Sequence, residues 1–438
     1  ELIDHPVEMG EFDKVEFVAG GVTHHIVVSG KHDGDLPRLA EDVRKICDNQ
    51  ITLFGKAPFN EYVFLLSVQK DGYGGLEHRS SSALICQRDA LPVMGDPSLK
   101  PTYMILLGLF SHEYFHAWNI KRIKPTCFLP YDLNQKNYTE QLWAFEGITS
   151  YYDELAMVRA KVISKEQYLD LLAQTLTKVL RAPGRKKQTI IEASFDAWIK
   201  YYQPNENASN ALVSYYLKGT LVALLIDLAL RQFSENKVSL DNVMRLLWQE
   251  YGEKSVGVPE GKIEEIISKL GGEKIVPYVF DALHTTKELP LDSFLKHVGV
   301  RLKLRGAVTN DDIGGKKILT PSLDNATFKQ GIFGFSIQRV QSRVIVTQVL
   351  EDSAAQSAGL SAQDEIIAIN GLRVDSDSFD KIAKRLNVNQ EVKVHFFRQD
   401  ILKEKQVTLK APPLDTAELI FQEGLTEEQK RNIDLWLS

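Results

Sequence analysis

The sequence predicts an α+β chain of more than one domain. A mixed strand and helix opening leads into a mainly helical middle, and a β-rich module follows. Three observations predict this. The chain has 438 residues, more than one ordinary hydrophobic core holds. Helical apolar spacing dominates from Pro101 to about Leu283. Short alternating runs separated by turn residues take over after about residue 300.

Within residues 1–100, "DKVEFVAG" and "THHIVVSG" alternate and end in Gly, which predicts a hairpin. "LPRLAEDVRKICDNQITLFG" has helical spacing and stops near Gly55. "EYVFLLSVQ" reads as a strand, with "KDGYGGLEHRS" after it. Residues 101–300 read as the helical part. "TYMILLGLFSHEYFHAWNIKR" predicts a buried helix ending before Pro125. "TEQLWAFEGITSYYDELAMVRAKV" predicts a second, with Thr139 as N-cap. "SKEQYLDLLAQTLTKVLR" and "VSYYLKGTLVALLIDLALRQF" predict two more, and the last is apolar nearly all round, hence central. "GIFGFSI", "RVIVTQVL", "DEIIAING" and "EVKVHFFRQ" read as strands of a compact module over 320–411. Residues 412–438 read as a polar tail, where Thr426 and Gln429 have capping-box spacing for a short terminal helix.

Composition narrows the function classes. A net charge of -6 gives no basic surface for nucleic acid. No run of eighteen apolar residues predicts a membrane span. Cys47, Cys86 and Cys127 form neither a C-x-x-C metal pattern nor a disulfide framework, which suits a reducing compartment such as the cytoplasm. The chain opens at Glu1 without an initiator Met or leader, so it reads as cut from a longer precursor. The periplasm therefore stays open, and neither compartment nor oligomeric state is legible.

The chemistry sits in "LFSHEYFHAWNIKRIKP". On a helix, positions four apart share a face, so His112 and His116 can aim two imidazole nitrogens at one point. Glu113 projects nearby without occupying that point. Two ligands plus a general base is the zinc-protease helix pattern. A pair of satisfied helical histidines is the alternative. A catalytic zinc needs a third ligand and an open position. Glu146, amid Trp143, Ala144, Phe145 and Ile148 on the next helix, is costly to bury unless something positive pairs with it. Thr149, Ser150 or Asp153 could accept a ligand imidazole's other N–H. Asn119, Lys121 and Arg122 read as a solvated basic helix end. Trp118, Trp143 and Trp198 read as core or cleft wall.

"HEYFHAWNIKRIKP" with "WAFEGITSYYDEL" resembles the glycyl aminopeptidase family of zinc metallopeptidases, relatives of aminopeptidase N with a thermolysin-like catalytic domain and a PDZ domain towards the C-terminus. The likeness runs from "HPVEMGEF" through "GGLEHR", "EASFDAWIKYYQPNENASN" and "SYYLKG" to the last module. The family's N-terminal β-domain has no counterpart in this chain. The resemblance implies one zinc ion held by His112, His116 and Glu146, with Glu113 as general base. It implies Glu77 in "YGGLEHRS" as the carboxylate that binds the substrate's free α-amine, and Tyr216 in "YYLKG" as the oxyanion donor. Tyr215 competes with Tyr216, and Glu77 could instead pair with Arg79 or His78. The implied activity is removal of N-terminal Gly, or other small residues such as Ala, from peptides with a free N-terminus.

In the module, "IFGFSI" reads as the loop of a PDZ domain, where Ile332, Phe333, Gly334 and Phe335 would receive a terminal carboxylate. Phe379 and Ile382 of "SFDKIAKRL" would line the groove. Such a module takes an extended C-terminal peptide as an added strand, unless another part of the chain fills its groove. Two alternatives stand beside the aminopeptidase. One is an endopeptidase on the same centre with Glu77 idle. The other is a peptide-binding scaffold with a vestigial metal site, against which the intact set of His112, Glu113, His116, Glu146 and Tyr216 argues.

Overall fold

The computed structural model describes residues 5–308, 312–315 and 330–438. β1 (Phe12–Ala19) and β2 (Val22–Ser29) form the expected hairpin, turning at Gly20 and Gly21 with φ of 54° and 77°. α1 (Leu36–Phe54) follows. The Asp35 side chain accepts from the Arg38 N–H at its start, and Gly55 ends it at φ 87°. β3 (Glu61–Gln69), β4 (Gly74–Glu77) and β5 (Ser81–Gln87) complete an open sheet in the order β1-β2-β3-β5-β4. β2 and β3 are parallel, so α1 is their crossover. β4 is an edge strand, antiparallel to β5.

α2 (Pro101–Phe115) packs on α1, β4 and β5. It stops earlier than expected, with His116 as its cap. The chain turns there because the His116 ring donates to the Asn119 carbonyl and Ile120 takes φ 123°. The second helix also differs. Trp143–Ile148 form a π-helical turn that runs into α3 (Thr149–Arg159). Thr139 is not its N-cap, since its hydroxyl donates to Glu260 at 2.6 Å and accepts from the Gln141 N–H.

α4 (Lys165–Leu180), α5 (Ile190–Phe195) and the short α6 (Ala208–Ala211) lead to α7 (Leu217–Phe233). α7 is central as predicted: Lys218 to Arg231 are all buried. Inside it, Arg231 pairs with Asp227 at 3.2 Å. The Tyr151 hydroxyl and the Leu240 N–H also donate to Asp227, so the buried carboxylate is satisfied. α7 crosses the π-helical turn glycine on glycine. A Cβ on Gly147 would lie 2.5 Å from the Gly219 Cα. This close approach brings the neighbouring Glu146 and Tyr216 to one cleft. α8 (Leu240–Leu247), α9 (Lys262–Gly271), α10 (Val276–His284) and α11 (Leu291–His297) complete the helical part.

After β6 (Val300–Arg305), a second sheet forms from β7 (Phe335–Val340), β8 (Arg343–Val349), β9 (Glu365–Ile369), β10 (Leu372–Arg373), β11 (Glu391–Arg398) and β12 (Ile401–Thr408). Its order is β12-β11-β9-β8-β7, with β10 on β9. α12 (Ala354–Ala358) and α13 (Phe379–Ala383) pack with it over a separate core that includes Val344, Ile366, Val394 and Phe396. The module's expected start at residue 320 lies outside the described residues.

Residues 412–438 are not the free polar tail that their charge suggested. β13 (Thr416–Phe421) pairs antiparallel with β6, Thr416 opposite Arg305 and Phe421 opposite Val300. α14 (Glu427–Leu437) has the predicted capping box and buries Ile433, Trp436 and Leu437 in the main core. Arg159 and Arg231 donate to the carbonyls of Trp436 and Leu435 at 3.1 and 2.8 Å. No helix among the described residues is long and apolar enough to cross a membrane.

Candidate active site

His112 stands on the last turn of α2 and His116 caps it, with their Nε2 atoms 3.0 Å apart. Glu146 Oε2, from the π-helical turn, lies 3.4 Å from the first and 3.3 Å from the second. The outer nitrogens fix the tautomers. His116 Nδ1 faces the Asn119 carbonyl at 2.8 Å, which only accepts, so that nitrogen carries the proton. His112 Nδ1 faces the Asp153 carboxylate at 3.0 Å and does the same. Two imidazole lone pairs and a carboxylate then converge, and the buried Glu146 Oε2 has no hydrogen-bond partner. Three acceptor atoms converging within ligand distance of one another fit a cation. Two imidazole nitrogens with a carboxylate oxygen are one of the donor sets that hold a catalytic zinc.

The supporting shell is deep. Asn119 is buried, and its Nδ2 donates to the Ala144 carbonyl at 3.1 Å and to Thr149 Oγ1 at 3.0 Å. Its carbonyl orients His116 while its amide clamps the turn that carries Glu146. It is therefore not part of a solvated helix end, and neither is Arg122, which donates to the carbonyls of Arg79, Ala117 and Pro58. Of the three candidates for a second partner, Asp153 takes the imidazole, while the Thr149 hydroxyl donates to the Phe145 carbonyl.

Glu113 is buried beside the pair, and its Oε2 also lacks a partner. Burial pushes its carboxyl up. The edge strand β4 presses on it: a Cβ on Gly75 would lie 2.3 Å from Glu113 Oε1. Only a glycine lets backbone come so near. Glu77 ends the same strand, and carboxylate oxygens of Glu77 and Glu113 lie with a His116 nitrogen within 4.8 Å of one another.

Tyr216 covers the other side, its ring centroid 6.4 Å from that of His112. Burial and the Glu146 charge push its phenol well above the usual range. Tyr215 is fully buried, and its hydroxyl donates to Tyr202 Oη at 3.0 Å, which in turn lies 3.3 Å from Tyr216 Oη. Tyr216, not Tyr215, thus lies against the His112 ring. Tyr202 and Gly219 carry no such signal in the sequence, and Asn119 reads there as a helix end. A helical stripe and a tight glycine pair give no local signal of what they touch.

In the second sheet, Ile332, Phe333, Gly334 and Phe335 lead into the edge strand β7. Gly334 takes φ 76°, and a Cβ there would lie 2.4 Å from Ser353 Cβ. Phe333, Phe335 and Phe379 form an aromatic cluster with ring centroids 5.1 to 6.4 Å apart. Ile382 packs beside the cluster on α13. β7 and α13 therefore meet through these rings.

Comparison with known proteins bears on the family and the fold. The family model for M61 glycyl aminopeptidase matches residues 105–222, and that for the PDZ domain matches residues 322–395. The crystal structure of an aminopeptidase N family protein from Idiomarina loihiensis is 39% identical, with a TM-score of 0.91 over 98% of this chain and 71% of that one. An HtrA-type protease with a decapeptide matches at 15% identity and TM-score 0.20, over 21% of this chain and 32% of that one. A serine endoprotease from Yersinia pestis matches at 17% and 0.18, over 20% and 30%. Neither of these two bears on the site. A search of curated proteins found no match. Fold and site together define a peptidase with a PDZ domain. The chain belongs to the glycyl aminopeptidase family.

Proposed function

We propose that this peptidase is a zinc aminopeptidase, with one ion per chain, that removes N-terminal Gly or another small residue such as Ala. The observation that carries the reading is Glu77, whose carboxylate reaches to within 4.8 Å of Glu113 and His116. A carboxylate there suits a cationic α-amine and holds the first peptide bond over the imidazole pair. Zinc bound by His112, His116 and Glu146 supplies Lewis-acid polarisation of the scissile carbonyl and a nucleophilic water at neutral pH. The chain's residues do the rest. Glu113, buried beside the imidazole pair, can take a proton from the attacking water and hand it to the leaving amine. Tyr216 keeps its O–H and donates it to the carbonyl oxygen as charge develops there. Asp153 and Asn119 hold the imidazoles in the tautomer that faces the site. For the PDZ groove, the reading is an extended C-terminal peptide along β7, its carboxylate in the loop of Ile332, Phe333, Gly334 and Phe335.

The test compares Gly-p-nitroanilide with its N-acetylated form. Cleavage of the first alone supports the aminopeptidase. Equal cleavage of both moves the reading to an endopeptidase on the same site. Metal analysis on the same sample is expected to give one zinc per chain, and a protein that takes up none leaves the peptide-binding scaffold.

A further inference from the structure

The stretch from α5 onward carries large apolar side chains at Phe195, Trp198, Ile199 and Tyr202. Steps of three, four and seven residues define one helical face. Such a face ordinarily turns to the core. Here it turns outward, and the four residues are 45%, 46%, 47% and 59% exposed. A neighbouring loop widens the face into a shelf. Tyr138 stacks on Phe195 at 5.0 Å, and Trp198 Nε1 donates to the Asn137 carbonyl at 3.1 Å. The shelf runs straight to the cleft, because Tyr202 Oη lies 3.3 Å from Tyr216 Oη. An exposed apolar patch continuous with a reactive centre marks a binding surface.

Its position fixes what it meets. Glu77 groups with Glu113 and His116, whereas Tyr216 lies against the His112 ring. A peptide with its amine at Glu77 passes the imidazole pair and reaches Tyr216, then the shelf, with its later residues. An aminopeptidase keeps a single residue on the amine side of the bond it cuts. A surface of this extent therefore faces only the departing part of the chain. We infer that Tyr138, Phe195, Trp198 and Tyr202 bind apolar side chains of that departing part. The substrates are then peptides in which bulky aliphatic or aromatic residues follow a small first residue. This rests on the aminopeptidase reading above.

Two pentapeptides test it, Gly-Phe-Leu-Phe-Ala and Gly-Ser-Asn-Ser-Ala, with the zinc-loaded full chain. The apolar peptide is expected to show a kcat/KM about tenfold higher, chiefly through KM. Trp198→Ala is expected to remove most of that ratio, and Phe195→Ala repeats the measurement if the first variant does not fold. Equal kcat/KM values, or a ratio that survives the substitutions, overturn the inference. Binding gives an independent readout. Trp198 is the one exposed tryptophan of five, so its fluorescence in Glu113→Gln reports occupancy without turnover. A shift with the apolar peptide alone supports the shelf; equal shifts, or none, overturn it. If neither peptide is cleaved, the aminopeptidase reading fails and this titration alone decides the shelf. A dimer in sedimentation that Trp198→Ala dissociates also overturns it, because the shelf then belongs to a second copy.

Discussion

The cleft and the PDZ groove are built in opposite ways. In the cleft, the two imidazoles and the turn that carries Glu146 are each held by a specific hydrogen-bond partner. Asp153 holds one imidazole, the Asn119 carbonyl holds the other, and the Asn119 amide clamps the turn bearing Glu146. In the PDZ loop, backbone holds backbone: the Leu350 N–H donates to the Gly334 carbonyl and the Ala355 N–H to the Phe333 carbonyl. One region fixes the direction of charges to within a hydrogen bond. The other keeps a shaped strand edge and a few rings in place. Chemistry at a polarised bond needs the first kind of precision, and taking up an extended peptide needs only the second.

Substitutions can break or sharpen that contrast. The largest effect is expected in the cleft. Glu113→Gln keeps size and metal but removes the proton carrier, so kcat falls by about 10³-fold while metal analysis still returns the bound ion. Retained turnover would move the base elsewhere. Next comes a residue that touches no substrate: Asp153→Asn is expected to weaken zinc binding by about 10- to 100-fold, read by competition with a chelator. Unchanged affinity would show that the imidazole is held well enough by packing. The smallest effect lies in the PDZ domain. Arg339 on β7 bridges Asp380 on α13 at 2.6 Å, but both side chains are about two-fifths exposed. Arg339→Ala is expected to cost at most about 0.5 kcal/mol in denaturant unfolding. A cost comparable to a buried pair would mean that the groove is held by charge after all.

Much of this was legible in the sequence, and the residues show why. α1 announces itself by apolar spacing and Gly55, and β1 and β2 by alternation, whereas β4, β5 and β12 carry no reading as strands. His112, Glu113 and His116 are legible because one helical turn sets their geometry. Glu146 and Tyr216 lie far along the chain and are legible only through the motifs around them. The rest depends on contacts that no local period encodes. Asn119 reads as a helix end until the turn at Ile120 folds it inward. Gly147 and Gly219 read as weak helix formers until two backbones meet across them. The run from Thr416 to Phe421 looks like part of a tail because its partner strand lies more than a hundred residues earlier.

That last pairing makes the PDZ domain a guest within another fold. Thr416 sits directly across the ladder from Arg305, so the two ends of the intervening segment are neighbours in space. Truncation before residue 416 would strip the peptidase of β13 and α14, and with them the carbonyls that two buried arginines need. Excision is the cleaner cut: a short Gly/Ser bridge from Arg305 to Thr416 would remove the guest and leave its host closed.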